Sequence, residues 1–395
     1  MKVVISGYYG FGNLGDEAIL HVLLEELRSR KLEEEAGAEA EEDGIEPVVL
    51  SAAPRETARL YGVRAVDRWN LRELRRELRT ADAFISGGGG LLQDETSRRS
   101  ALYYLALLAY ARRHGPVYLV GQGLGPLRSR FLTAWARRVV SKAAFATVRD
   151  EPSEKLLRLW GLPEERLARG GDLTLLLQPK LAEIAREDPE KPYVLVALRG
   201  DLPDDLQEAL AQQLEHVRKE LGLHPIFFAF HPAEDREAME ELAARMVPRP
   251  PVLQAEGVPL CEALRAVGGA RAVVGMRLHA LIFALLWGVP FLAVGGPTKL
   301  ETFLRQAERA GAPALPCATP EQIVSFEVEL AAVLEDFRRG GEALRERLRS
   351  ARDTLYRQTR RAMDAFLRRL REDLYHGRGE AAKEKSQSKS ESGAS

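Results

Sequence analysis

The chain lacks any apolar run of the roughly 18 residues that a helix needs to span a bilayer. Its opening Met1-Lys2 leads straight into an apolar strand, so no signal peptide is expected. Cysteine is scarce: Cys261 and Cys317 stand far apart without metal-ligand spacing. That excludes a disulfide scaffold and points to a reducing compartment or to no redox role. The seven histidines do not pair with cysteines or acids at ligand spacing, so no metal is expected. Neither sign of charge dominates: 57 Lys and Arg face 58 Asp and Glu, a formal net charge of -1. Bulk nucleic-acid binding is thereby disfavoured. These absences place the chain in the cytoplasm, with contact at the inner face of the membrane peripheral at most.

What is present is a long chain of alternating strand and helix signals. At 395 residues it exceeds one ordinary core, so two domains are expected. Arginines interleave with glutamates, as in Leu71-Arg72-Glu73-Leu74-Arg75-Arg76-Glu77-Leu78, which reads as a solvated, ion-paired helix face. It is weakly consistent with heat tolerance. Apolar strands are read at 2–7, 47–50, 83–86, 117–120 and 145–148, each followed by helical periodicity. The same alternation resumes at 193–198, 225–230, 271–274 and 290–294. The fold class is therefore α/β: two doubly wound, Rossmann-like parallel sheets facing across a cleft. We place the domains at 1–178 and 193–336, with a linker over 179–192. A helix at 337–376 would pack back on the first domain, and a disordered tail would follow from 377 to 395. The acidic stretch Lys31 to Glu46 reads as a surface excursion.

Chemistry concentrates where strands end. Gly10-x-Gly12-x-x-Gly15 follows the first strand and opens a helix, as a dinucleotide fingerprint does. The second strand, however, ends Val49-Leu50-Ser51 without the acid that would hold a ribose. Asp16 would also repel a pyrophosphate at the helix start. Asp16 is read either as a helix cap or as a sugar contact, the latter allowing it to be the base that activates a hydroxyl. Glycine loops at 7–15, 87–90 and 121–125 let a bulky ligand approach the backbone. With the Tyr103-Tyr104 pair nearby, Gly12, Asn13, Asp16, Gly89, Gln93, Asp94 and Gln122 suit a neutral polyhydroxylated ligand.

The second domain offers cations instead. Arg199 ends one strand, and Lys299 follows Gly295-Gly296-Pro297-Thr298. Arg277 and His279, with Leu278 between them, stand where the strand Arg271 to Val274, after turning at Gly275, meets the apolar helix before Gly288-Val289-Pro290. Arg149 ends the last clear strand of the first domain. This set predicts a compact polyanion near a helix amino end. His279 and Asp16 would face each other across the cleft. A nucleotide-sugar glycosyltransferase also fits the architecture. Such enzymes often carry a ribose-binding Glu on the helix before the second-domain Gly-x-Pro, and Phe283 stands there here. A non-catalytic glycan-binding module is a third reading.

Five motifs in order resemble the polysaccharide pyruvyl transferase family, and within it the bacterial CsaB type that decorates secondary cell-wall polymers. They are Gly7-Tyr8-Tyr9-Gly10-Phe11-Gly12-Asn13-Leu14-Gly15-Asp16-Glu17-Ala18, Ser86-Gly87-Gly88-Gly89-Gly90-Leu91-Leu92-Gln93-Asp94, Gly121-Gln122-Gly123-Leu124-Gly125-Pro126, Val148-Arg149-Asp150 and Met276-Arg277-Leu278-His279-Ala280. The resemblance covers about Met1 to Gly311. It implies a GT-B-like fold and transfer of pyruvate from phosphoenolpyruvate to a mannose-type sugar as a 4,6-ketal, with phosphate released and S-layer anchoring served. It also implies no cofactor, phosphoenolpyruvate being a co-substrate, and a glycan or lipid-linked glycan acceptor. Arg199, Arg277 and His279 would surround phosphoenolpyruvate, with Arg149 and Lys299 as further cations. His279 would be the general acid/base. Relatives often carry Tyr-Asp before the Pro-Lys pair, where this chain has Gly295-Gly296.

Overall fold

A computed structural model describes residues 1–29, 44–95, 97–184, 190–200, 202–255, 258–295 and 299–392. Contacts group the chain into two units. One comprises Met1–Phe11, Ile19–Leu173 and Thr359–Ser395; the other comprises Gly12–Ala18 and Thr174–Gln358.

The first unit is built on β1 (Lys2–Ser6), the part of α1 (Leu14–Ser29) from Ile19 onward, β2 (Glu46–Ser51), α2 (Pro54–Tyr61), β3 (Arg64–Asp67), α3 (Leu71–Arg79) and β4 (Ala83–Ser86). The run continues with α4 (Arg98–Ala111), β5 (Val117–Gln122), α5 (Arg130–Val140), β6 (Phe145–Val148), α6 (Glu151–Leu159) and β7 (Leu167–Arg169). The strands form one parallel sheet in the order β3-β2-β1-β4-β5-β6-β7. Every residue of β4 and β5 is buried, as strands covered on both faces must be. Leu105 and Leu108 of α4 and Leu132 and Val139 of α5 join Val4, Phe84 and Leu119 in one core.

The second unit continues with β8 (Tyr193–Ala197), α7 (Asp204–Leu221), β9 (His224–Ala229), α8 (Pro232–Ala244), β10 (Val252–Gln254), α9 (Leu260–Gly268) and β11 (Ala272–Gly275). Then come α10 (Leu278–Trp287), β12 (Phe291–Val294), α11 (Lys299–Arg309), β13 (Cys317–Ala318), α12 (Pro320–Val324) and α13 (Leu330–Ser392). The parallel order is β10-β9-β8-β11-β12-β13. In each sheet the winding reverses once, between β1 and β4 and between β8 and β11. Ligands of open α/β sheets bind at the carboxyl ends of the strands flanking such a reversal.

The α/β architecture with two parallel sheets is as read from the sequence. The four strands missing from that reading are β3, β7, β10 and β13, and each is a sheet edge. They are two to four residues long and partly exposed, so they lack the continuous apolar run that marks a central strand. Residues 173–183, at the start of the expected linker, form 3-10 turns. The expected surface excursion lies mostly outside the described residues, as do 185–189 of the linker and 296–298.

Helix α13 is interrupted at Gly341 (φ 50, ψ -138) and runs to Ser392. The stretch read as a disordered tail therefore continues as helix through that residue; its Ala, Glu and Lys are good helix formers. Within the first unit, the Tyr118 hydroxyl donates to Asp373 at 2.6 Å, and Arg360 pairs with Glu26. Met363, Phe366 and Leu370 are buried there.

Candidate active site

The strand β11 and the helix α10 are apolar almost throughout, and residues Ala280 to Leu286 are all buried. Arg277 is the extended residue between them, at the helix cap position (φ -90, ψ 121). Its charge is matched. Nε donates to both oxygens of Asp235, at 3.1 and 2.9 Å, and Nη2 reaches Asp235 and also Glu234 at 2.8 Å. Asp235 is completely buried at its side chain and also accepts from the backbone N–H of His231 (2.9 Å) and of Gly200 (3.3 Å). One carboxylate thus ties together the chain leaving β8, the chain leaving β9 and the chain leaving β11. Burial opposes ionisation of Glu234, but hydrogen bonds from Arg277 and His231 outweigh it and hold the carboxyl below its usual range. Burial likewise disfavours charge on Arg277, and Asp235 more than restores it.

His279 sits one residue into α10 and is partly buried. Its neighbour is Gly15: a Cβ at that position would fall inside the imidazole ring. The Leu14 N–H donates to the Phe230 carbonyl at 2.9 Å, and Gly12–Ala18 groups with the second unit. Asn13 and Asp16 therefore lie with His279 rather than with the first sheet that precedes them. The sequence reading set them on opposite sides. The difference arises because Gly15, having no side chain, lets this loop close on the ring.

The cap of α1 is Asn13. Its side chain accepts from Gly15 N–H at 3.1 Å, and its carbonyl accepts from Glu17 N–H at 3.0 Å. Asp16 is buried in the first helical turn instead, where the dipole favours a carboxylate. Arg199 is exposed and borders a groove of about 930 Å³ shared with Gly200, Glu234, Arg236 and Arg249. Lys299 is exposed as the first residue of α11. The structure thus gathers Gly12, Asn13, Asp16, Arg199, Arg277, Leu278, His279 and Lys299 into the second unit.

The remaining residues belong to the first unit and are tied into its loops. Gln122 is fully buried; its amide donates to the carbonyls of Ser86 (3.2 Å) and Gly87. Gly89 bridges Gln122 and accepts from Gly123 N–H at 2.9 Å. Gln93 accepts from Glu95 N–H at 2.8 Å. Asp94 accepts from the N–H groups of Arg128 (2.7 Å) and Ser129 (2.8 Å), which hold its carboxyl below the usual range. Arg149 is buried and lies 3.6 Å from Asp150 and 3.5 Å from Asp172.

Sequence reasoning missed Asp235, Glu234 and His231, although an acidic pair one turn after a strand-ending His-Pro was visible. It also missed Arg68. That guanidinium is buried, donates to the Gly7 carbonyl at 2.9 Å and to Tyr104 at 3.1 Å, and lies about 5 Å from the rings of Phe11, Trp69, Tyr103 and Tyr104.

A family model described as polysaccharide pyruvyl transferase matches residues 13–296. The chain belongs to the polysaccharide pyruvyl transferase family. The match takes in Asn13, Asp16, Arg149, Arg199, Arg277 and His279 and stops short of Lys299. No curated protein matches the sequence. Among solved structures the chain is similar to the MnaA–UDP complex of S. aureus, at 11% identity and a TM-score of 0.59, over 88% of this chain and 91% of that one. It is also similar to Anabaena HepE in complex with UDP and glucose, at 13% identity and a TM-score of 0.57, over 94% and 100%. A third is the UDP-GlcNAc 2-epimerase of Neisseria meningitidis bound to UDP-GlcNAc, at 11% identity and a TM-score of 0.56, over 93% and 100%. These likenesses show the GT-B-like fold of this pyruvyl transferase family member.

Proposed function

We propose that the chain transfers pyruvate from phosphoenolpyruvate to a sugar of a cell-wall polysaccharide or of its lipid-linked precursor. The sugar is of N-acetylmannosamine or mannose type, the product is a 4,6-ketal, and the role is that of the CsaB type. One observation carries this beyond family membership. Arg199 leaves β8, and Arg277 and His279 follow β11, so they flank the winding reversal of the second sheet. Phosphoenolpyruvate brings about three negative charges, which suits two guanidiniums and a helix amino end.

The chemistry follows from the set. A proton added to the methylene carbon makes C2 electrophilic. A sugar hydroxyl adds there and loses its proton. Phosphate leaves, the second hydroxyl closes the ring and loses its proton, and the ketal remains. His279 is the general acid/base, and Asp16, on the same unit, is the group that takes the hydroxyl proton. An anion arriving at Arg277 competes with Glu234 for Nη2, while Asp235 keeps its hold on Nε.

The nucleotide-sugar alternative would need a ribose-binding acid on α10. Phe283 is instead fully buried, its ring centroid 5.9 Å from that of Phe230 in a tilted aromatic pair. The test incubates the protein with phosphoenolpyruvate and a β-linked N-acetylmannosaminyl acceptor on a lipid-like aglycone. The expected result is a mass gain of one pyruvate less one water, with phosphate release reduced about 10²–10⁴-fold in His279→Gln. Tight UDP binding with sugar transfer that ignores phosphoenolpyruvate would instead establish the glycosyltransferase reading. No phosphate release with any acceptor would leave a glycan-binding module.

A further inference from the structure

Charge is balanced over the whole chain but not along it. From Thr96 to Arg149 there is not one Asp or Glu, while ten Lys and Arg occur. This stretch builds α4 and α5, which pack side by side in the first unit. Many arginines are matched, though not all: Arg158 pairs with Glu154, Arg305 with Glu301 and Arg338 with Glu335. On α5 and just beyond it they are not. Arg130, Arg137, Arg138 and Lys142 are exposed and form no ion pair among the described residues.

The placement runs against helix electrostatics. Nine helices of the described residues carry an acid in the first turn, as the dipole favours. Helices α4, α5, α10 and α13 carry none, and α4 and α5 open instead on Arg98-Arg99 and on Arg130. Cations at those amino ends weaken the helices, whereas Arg137 and Arg138 in the last turn of α5 suit the dipole; a role outside folding is the simplest reason to keep the amino-terminal ones. Apolar groups are exposed among them. Phe131 is 67% exposed and Leu102 is 39% exposed. Trp135 lies one turn after Phe131 with ring centroids 5.9 Å apart, on the same helix face. The opposite face, Leu132, Ala136, Val139 and Val140, is buried.

A helix with one buried apolar face and one outward face of arginines around exposed aromatics fits the interface of an anionic bilayer. We propose that the outward face of α4 and α5 docks this protein on membranes rich in anionic lipid. The cations neutralise headgroups, and Phe131 and Leu102 enter the boundary between headgroup and acyl chain. The amino ends of both helices lie at the carboxyl ends of the strands, the end where Gly87–Asp94 and Gly121–Gly125 form loops. A glycan carried by a membrane lipid would then be presented at that rim. Nucleic acid would use the charges but leave the exposed Phe131 without a partner.

The test is co-sedimentation of the full chain with phosphatidylcholine vesicles, with and without 30 mol% phosphatidylglycerol as about a third of the lipid. Binding is expected only with the anionic lipid, and it should fall steeply as salt rises. Arg137→Glu with Arg138→Glu should weaken it at least about 25-fold, since each cation near the surface is worth about five-fold. Phe131→Ala should weaken it several-fold without changing the salt slope. All three positions are exposed, so unfolding midpoints should stay at the wild-type value. Transfer to a soluble acceptor should also be unchanged, and vesicle binding can be read even if no pyruvyl transfer is found. Absence of anionic-vesicle binding at low salt would overturn the proposal. So would binding insensitive to both variants, or duplex DNA binding more tightly than the vesicles.

Discussion

A single buried carboxylate does more to shape the candidate site than any of the cations around it. Asp235 holds Arg277 through Nε and fixes the backbone leaving β8 and β9. Glu234 contacts the same guanidinium from a half-exposed position. The two acids should therefore act oppositely on phosphoenolpyruvate. Asp235→Asn removes the charge that steadies Arg277, and should raise KM for phosphoenolpyruvate about ten-fold or more, hydrogen bonds to charged groups contributing about 1.5–3 kcal/mol. Glu234→Gln removes a competing anion and should lower that KM. Steady-state kinetics of phosphate release checks both; a rise in KM for both variants would show that Glu234 supports the pocket instead. Gly15→Ala is the sharpest test of the loop. Its Cβ cannot coexist with the His279 ring in its present position. It should reduce kcat as strongly as His279→Gln while barely moving the unfolding midpoint.

At the scale of elements, the central strands were legible because their apolar runs are continuous. Each of β1, β4, β5, β8, β11 and β12 has the simple signature of a strand buried on both faces. The edges were not legible, since half-exposed strands of two to four residues carry no such signature. The placement of His279 and Arg277 at a strand-to-helix junction was readable from Gly275 and the apolar helix after it. The company they keep was not: Asp235 lies 42 residues from Arg277, and Gly15 is far from His279 in sequence. Contacts of that kind depend on strand order, which single-sequence patterns do not encode.

Asp94 shows an element held by such a contact, its carboxylate clamping the loop that leads into α5. Because its folded-state pKa lies below the ordinary 3.8, its stabilisation is full above the unfolded pKa and is lost as pH falls through the folded value. Asp94→Asn should lower the unfolding midpoint by roughly 2–4 °C at pH 7. Once pH has fallen through the folded value the difference should vanish, since the carboxyl is then protonated in both states. A constant difference across that range, followed by circular dichroism, would show that shape rather than charge holds the loop.

At the scale of the whole molecule, the part of α13 beyond its interruption at Gly341 serves two cores. Its segment up to Gln358 groups with the second unit and buries Leu348 and Ala351. From Thr359 it groups with the first unit, where Phe366 is fully buried against Tyr118, ring centroids 5.6 Å apart. The stability of each unit therefore depends on a different stretch of the same helix. Phe366→Ala should cost roughly 3–5 kcal/mol and Leu348→Ala roughly 2–5 kcal/mol, the range for truncations in well-packed cores. Scanning calorimetry should separate them: each variant lowers the transition of its own unit and leaves the other close to the wild-type position. If both variants displaced one shared transition equally, the two units would be unfolding as one cooperative body. Binding offers an independent check. Phosphoenolpyruvate, if held as proposed by residues of the second unit, should raise the transition that Leu348→Ala lowers, in proportion to the logarithm of its concentration above Kd. It should leave the transition lowered by Phe366→Ala in place.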